Sequence, residues 1–124
     1  MFDLKKILNG RMNVPEPEIH IAGENAVITP GMALTLSGGE LSKCAATVKP
    51  THISIGNGKA GDRVAVYSVG SDMIFETGIP EGDFDAKAGD KVTLDGSGLG
   101  VTNTTTSGVA IIVSVEPDRL LVRF

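Results

Sequence analysis

The side chains able to do chemistry in this sequence are few: two histidines, one cysteine and a scattered set of carboxylates. His20 lies in "EIHIA" and His52 in "THISIG". Strand alternation places Ile19 and Ile21 on one face and His20 on the other, toward solvent or a subunit boundary, and the same orientation is expected of His52. A metal site would need further ligands at about 2 Å in fixed geometry, and no HxH, HxxxH or HExxH spacing is present. Neither a metal nor a cofactor is therefore expected. Cys44 follows Lys43 in "SKCAAT", where the cation could lower its pKa, but among small residues it reads as a structural thiol. As the single cysteine it excludes an intrachain disulfide and a thiolate-rich metal site.

Seven carboxylates fall between Asp72 and Asp95, opposed only by Lys87 and Lys91. In "EGDFDAKAGD", Asp83 and Asp85 alternate around Phe84, with Asp90 nearby. The EF-hand order of glycine and glutamate is missing, so the segment reads as a solvated acidic loop, with weak calcium binding as the alternative. A general acid/base pair depends on the fold, but GxSxG, Cys/His and dinucleotide signatures are all absent. "TNTTTS", at positions 102–107, reads as an exposed strand or loop and has no aromatic platform beside it for a sugar. This inventory points away from an enzyme. The net charge of −4 divides into +2 over the first twelve residues and −6 over the rest. An acidic body repels a phosphate backbone, so nucleic acid is not an expected partner.

The elements that would position these groups are strands. A chain of 124 residues supports one domain with a small core, and 16 glycines against one tyrosine and no tryptophan favour many turns. Alternating runs recur from Glu18 onward, separated by Gly, Pro, Asp or Asn. They predict an all-β fold of about nine short strands, a small barrel or sandwich. "RVAVYSV" is apolar on both faces and is expected to be buried on both sides or closed into a barrel. Ahead of this body, Leu4, Ile7, Leu8 and Met12 lie on one helical face, with Asp3 as a possible N-cap and Gly10 as a possible stop. "NVPEPE" then extends the chain. Residues 1–17 are thus expected to form an extended or short helical arm and linker, and residues 18–124 a single domain. The basic start lacks the apolar stretch of a secretory signal and no window approaches a membrane span, so synthesis and retention in the cytoplasm are expected.

"GMALTLSGGELS" and "GDKVTLDGSGLG" are versions of one pattern. A gapless shift of 58 residues superposes 31–66 on 89–124 with eight identities: Gly31/Gly89, Thr35/Thr93, Leu36/Leu94, Gly38/Gly96, Leu41/Leu99, Thr47/Thr105, Ile53/Ile111 and Val64/Val122. Roughly two or three would arise by chance. The body is therefore expected to consist of two pseudo-repeats, each with a glycine turn, a strand, a glycine hairpin, a polar strand or loop and two more strands. Strand, not helix, follows the glycines, so they read as turns and not as a phosphate cradle.

The segments "ITPGMALTLSGGELSKCAATVKP", "AGDRVAVYSVG", "AKAGDKVTLDGSGLGVT" and "GVAIIVSV" resemble the capsid decoration, or cement, proteins of tailed phages, the group that includes the lambda head decoration protein. The resemblance covers about four-fifths of the chain. It departs after Pro50, where "THISIG" stands in place of an Ile-Gly-Val kind of run. It implies a non-enzymatic virion protein of a phage or prophage, made in the bacterial cytoplasm and displayed on the virion surface. It further implies a trimer bound to the major capsid protein. The expected partner-binding residues are Phe2, Leu4, Ile7 and Leu8, apolar without an evident partner inside a small domain, together with Ile19 and Ile21, whose strand could add its edge to another sheet. A β-barrel binding module for a small ligand or glycan is the alternative, and a small hydrolase using scattered carboxylates is a third reading.

Overall fold

The computed structural model describes residues 1–7 and 15–124. Those residues form twelve short strands: β1 (Asp3–Ile7), β2 (Glu18–Ala22), β3 (Val27–Ile28), β4 (Ala33–Ser37), β5 (Glu40–Lys43), β6 (His52–Ser54), β7 (Gly58–Lys59), β8 (Arg63–Ser68), β9 (Met73–Thr77), β10 (Lys91–Val92), β11 (Ala110–Val115) and β12 (Leu120–Arg123). Strands β2-β5-β4-β6-β8 close into a barrel, β1-β9-β12-β11-β10 form an open sheet, and β3 pairs with β7. The all-β expectation holds, and β8 lies in the closed barrel with Val64 and Val66 buried. Three strands go beyond the nine alternating runs. β5 buries only Leu41, β7 is two residues long, and β1 carries a helical spacing.

That spacing has a physical explanation in β1. Leu4 and Ile7, three residues apart, would fall on opposite faces of a regular strand. Here Leu4 pairs with Phe75 and Ile7 with Met73, because the register shifts between Leu4 and Lys6. The bulge restores both side chains to one face, so a 3.6-like interval marks an irregular strand instead of a helix. The N-terminal stretch is thus the extended form of the two expected. Leu8, Gly10 and Met12 lie outside the described residues.

The 58-residue repeat is visible in the hydrogen bonds. The Gly31 N–H donates to the Ser54 carbonyl and the Gly89 N–H to that of Ile112, both at 2.8 Å. Ser54 N–H to Met32 O at 3.0 Å is matched by Ile112 N–H to Asp90 O at 2.9 Å. Thr51 N–H to Leu34 O is likewise matched by Val109 N–H to Val92 O, each at 3.0 Å. Gly31 and Gly89 both have positive φ, 76° and 94°, a conformation in which an L side chain is strained. Strand order repeats too: β4, β6 and β8 neighbour one another in the barrel as β10, β11 and β12 do in the sheet.

A single apolar layer joins the two sheets. Leu4, Phe75, Val122 and Ile112 are successive cross-strand partners over β1, β9, β12 and β11, and all pack in one cluster. Ala33, Cys44 and Ile53 from the barrel wall belong to the same cluster. The barrel interior is a second cluster, filled by Ala22, Ile28, Met32, Leu34, Leu41, Val64 and Val66. Leu99, from the second repeat's hairpin, packs against that interior cluster. Lys5 and Arg119 flank Glu76 at 3.5 and 3.2 Å on the sheet's outer surface. Arg119, with a smaller effect from Lys5, holds the Glu76 carboxyl below its ordinary range.

Two measurements follow from this packing. Phe2 is 2% exposed, and its ring meets Phe124 edge-on at 5.5 Å. Phe2→Ala is expected to cost about 3–5 kcal/mol in urea unfolding followed by circular dichroism; a loss below about 1 kcal/mol would show the N-terminus to be dispensable to the core. Burial pushes the Cys44 thiol up to about 11, and its S–H donates to the Val48 carbonyl at 3.0 Å. At pH 8 a disulfide reagent should therefore label Cys44 slowly in native protein and rapidly in denaturant, and equal rates would contradict its burial.

Candidate functional site

The chemistry-bearing side chains meet at one mouth of the barrel. In β2 the register with β8 pairs Glu18 with Val66 and His20 with Val64, both of which face the barrel interior. On β6, His52 pairs with Leu34 of β4 and Ser68 of β8, which directs it to the same side. Glu18, His20 and His52 converge there, and among the described residues this is the only place where three such groups meet within 4.8 Å of one another.

Glu18 Oε1 lies 2.9 Å from His20 Nε2 and 3.3 Å from His52 Nε2. The two imidazoles sit edge to face with centroids 5.3 Å apart. His52 is buried, while the His20 and Glu18 side chains are 26% and 43% exposed, so the cluster opens to water on the β2 side. The His20 contact, reinforced by His52 against a smaller opposing effect of burial, holds the Glu18 carboxyl below its ordinary range. On the far side of the His52 ring, Nδ1 is 2.9 Å from Thr51 Oγ1.

This arrangement corrects the expected orientation of the histidines. The alternation of "EIHIA" is as read, but its sense is reversed: His20 turns inward, and Ile19 and Ile21 turn out, 56% and 36% exposed. Among the described residues nothing covers the outer face of β2, whereas the inner face must share the barrel with Ala22. Both faces of β6 are covered, His52 toward the barrel interior and Ile53 toward the open sheet. The signal available in sequence was the Glu-x-His alternation at 18 and 20, which puts two ligand types on one face of a strand. The third member, His52, is brought in only by the pairing of β6 and β2 to β8.

The residues expected to bind a partner fall into two groups. Phe2, Leu4 and Ile7 have partners within their own chain: Phe2 is in the core, and Leu4 and Ile7 are half-buried against it. The Phe2 N–H donates to the Gly31 carbonyl at 2.8 Å, which fastens the N-terminus to the barrel. Leu8 lies outside the described residues. Ile19 and Ile21 are exposed side by side on the outer face of β2, with Ala65 as the cross-strand neighbour of Ile19. The edge of β2 is only partly open, however. It pairs with β8 from Glu18 to Ile21 and with β5 at Ile21 and Ala22 alone. Along Glu18–His20 one side therefore has no strand partner among the described residues, and a contact through the rest of the strand must use outward side chains.

The acidic segment does not gather into a cation cage. Asp90 Oδ2 accepts the Lys87 N–H at 2.9 Å, Asp95 Oδ1 accepts the Ser97 N–H at 2.9 Å, and Asn103 Nδ2 donates to the Asp83 carbonyl at 3.0 Å. These are local turn bonds of a solvated loop. The barrel interior is filled by side chains, leaving the described concavities on the surface. One of about 250 Å³ lies beside Phe2, Gly31 and Tyr67, and a shallow one of about 390 Å³ lies beside Val27 and Lys59. Among the described residues no helix is long and apolar enough to cross a membrane.

No family model matches the sequence, and no curated protein matches it. Among solved structures, the chain is similar to the N base of head fiber gp8.5 in bacteriophage phi29, with a TM-score of 0.54 and 19% sequence identity over 88% of this chain and 95% of that one. The likeness therefore spans nearly the whole of both chains and is one of fold: an all-β body built of a closed barrel and flanking sheets.

Proposed function

We propose that this chain is a non-enzymatic structural protein of a tailed-phage virion, displayed on the outside of the head. The observation that carries this reading is the shared fold with a head-fiber base, over nearly all of both chains. The repeat architecture supports it, since the glycine turns and alternating strands of the resemblance to decoration proteins are the elements that build the two sheets. In its finer form the protein is a decoration protein that binds the major capsid protein and stabilises the shell as a trimer, made in the bacterial cytoplasm from a phage or prophage gene.

Ile19 and Ile21 are the contact residues in this reading. Exposed apolar side chains on a strand otherwise locked into a barrel gain by burial against another protein, about 1.5–3 kcal/mol for each fully covered. Phe2, Leu4 and Ile7 contribute indirectly, by holding β1 to the body that carries β2.

The test is to mix purified protein with expanded empty shells of the phage or prophage that encodes it and to measure co-sedimentation. Saturable binding is expected, weakened about 10- to 100-fold by Ile19→Glu or Ile21→Glu with the circular dichroism spectrum unchanged. Sedimentation equilibrium should give a trimer mass. Absence of binding to both expanded and unexpanded shells would overturn the reading; binding that survives both substitutions would move the contact away from β2.

A further inference from the structure

The geometry points to a divalent transition-metal site of the zinc type at the barrel mouth, held by Glu18 Oε1, His20 Nε2 and His52 Nε2. In a tetrahedral site with bonds of about 2.0–2.1 Å, neighbouring ligand atoms stand about 3.3 Å apart. Of the contacts from Glu18 to the two rings, the 3.3 Å one equals that spacing and the 2.9 Å one is somewhat shorter, and all three ligand atoms lie within 4.8 Å of one another.

Thr51 supplies an outer contact to the same ring. Its Oγ1 accepts the Leu36 N–H at 2.9 Å, reaches the Leu34 carbonyl at 3.5 Å and lies 2.9 Å from His52 Nδ1. In the tautomer in which Nδ1 donates to this hydroxyl, Nε2 of the buried ring carries the lone pair, 3.3 Å from the carboxylate oxygen. A divalent ion there would be ligated by both rings and the carboxylate at once, and a hydrogen bond from the other ring nitrogen is how metal-binding histidines are oriented.

The donor set selects the ion. Two imidazoles and one carboxylate suit zinc and its neighbours, whereas calcium and magnesium require a cage of oxygens. The exposed side of Glu18 leaves a fourth position for water. Because the ligands come from β2 and β6, which flank β8, the bound ion braces the strand that closes the barrel.

The test uses the full chain, free of any affinity tag and stripped with chelator, titrated with zinc chloride by calorimetry. One ion per chain is expected, with a rise in thermal midpoint of roughly 5 °C or more at a hundredfold excess over Kd. Calcium should give neither effect, and cobalt(II) should give the intense visible bands of a tetrahedral ion. His20→Ala, at a partly exposed position, should weaken zinc binding at least about tenfold while leaving the metal-free spectrum unchanged, and Thr51→Val should weaken it about 10- to 100-fold. The site is overturned by no stoichiometric heat, by zinc binding that is unchanged in His20→Ala, or by an octahedral cobalt spectrum.

Discussion

The whole molecule depends on one apolar layer shared by two ladders of strands. The inner face of the open sheet offers Phe75, Val122 and Ile112, and the barrel wall offers Ala33, Cys44 and Ile53; Phe2, Ala86, Leu94 and Val101 belong to the same cluster. Backbone hydrogen bonds cross between the repeats at this junction, from Ala33 N–H to the Gly98 carbonyl at 2.8 Å and from Leu94 N–H to the Ala46 carbonyl at 2.9 Å. At Gly98, with φ of 74°, a Cβ would press on Met32, Lys43 and the Ala33 carbonyl. The absence of a side chain there lets the second hairpin approach the barrel closely enough to bond.

The repeats show how one unit can serve two architectures. Their first strand pairings coincide: Ala33 pairs with Ile53 as Lys91 pairs with Ile111. They diverge at the hairpins. Gly38 and Gly39 alone turn the chain between Ser37 and Glu40, whereas Leu94 bridges to Val101 across a longer loop. That longer loop sends Leu99 away from its own unit and against the barrel core. The ladders also end differently. In the first unit β2 reaches both β8 and β5 and closes the barrel; in the second, β9 pairs with β12 and its other side is taken by β1. A filled first unit and an open second one leave a place for the chain's own N-terminus.

Much of this architecture was legible in the amino-acid sequence because alternation and glycine turns are local properties. Strands β4, β6, β8, β11 and β12 announce themselves in this way, and the 58-residue shift exposes the repeat. What could not be read depends on neighbours. The spacing of Leu4 and Ile7 looks helical unless the bulge opposite Phe75 and Ile74 is known. For β2 the alternation gave two faces but not which one would be covered, and the presence of two isoleucines favoured the wrong choice. The barrel-mouth cluster unites residues 34 positions apart through a third strand, and no spacing rule within one strand contains that information.

The closure of the barrel is short. β2 meets β5 in parallel through only two residue pairs, Ile21 with Glu40 and Ala22 with Leu41, followed by the Gly23 N–H to Leu41 carbonyl bond at 2.8 Å. Its other end is fastened by side chains, where Glu18 meets the two histidines. Ile19 lies between these fastenings and Ile21 at the first of them, separated by about 6.6 Å along a strand whose backbone has little freedom left to lose. An apolar pair presented in this way is already ordered, so a surface that covers it recovers the hydrophobic gain with a small entropic deduction.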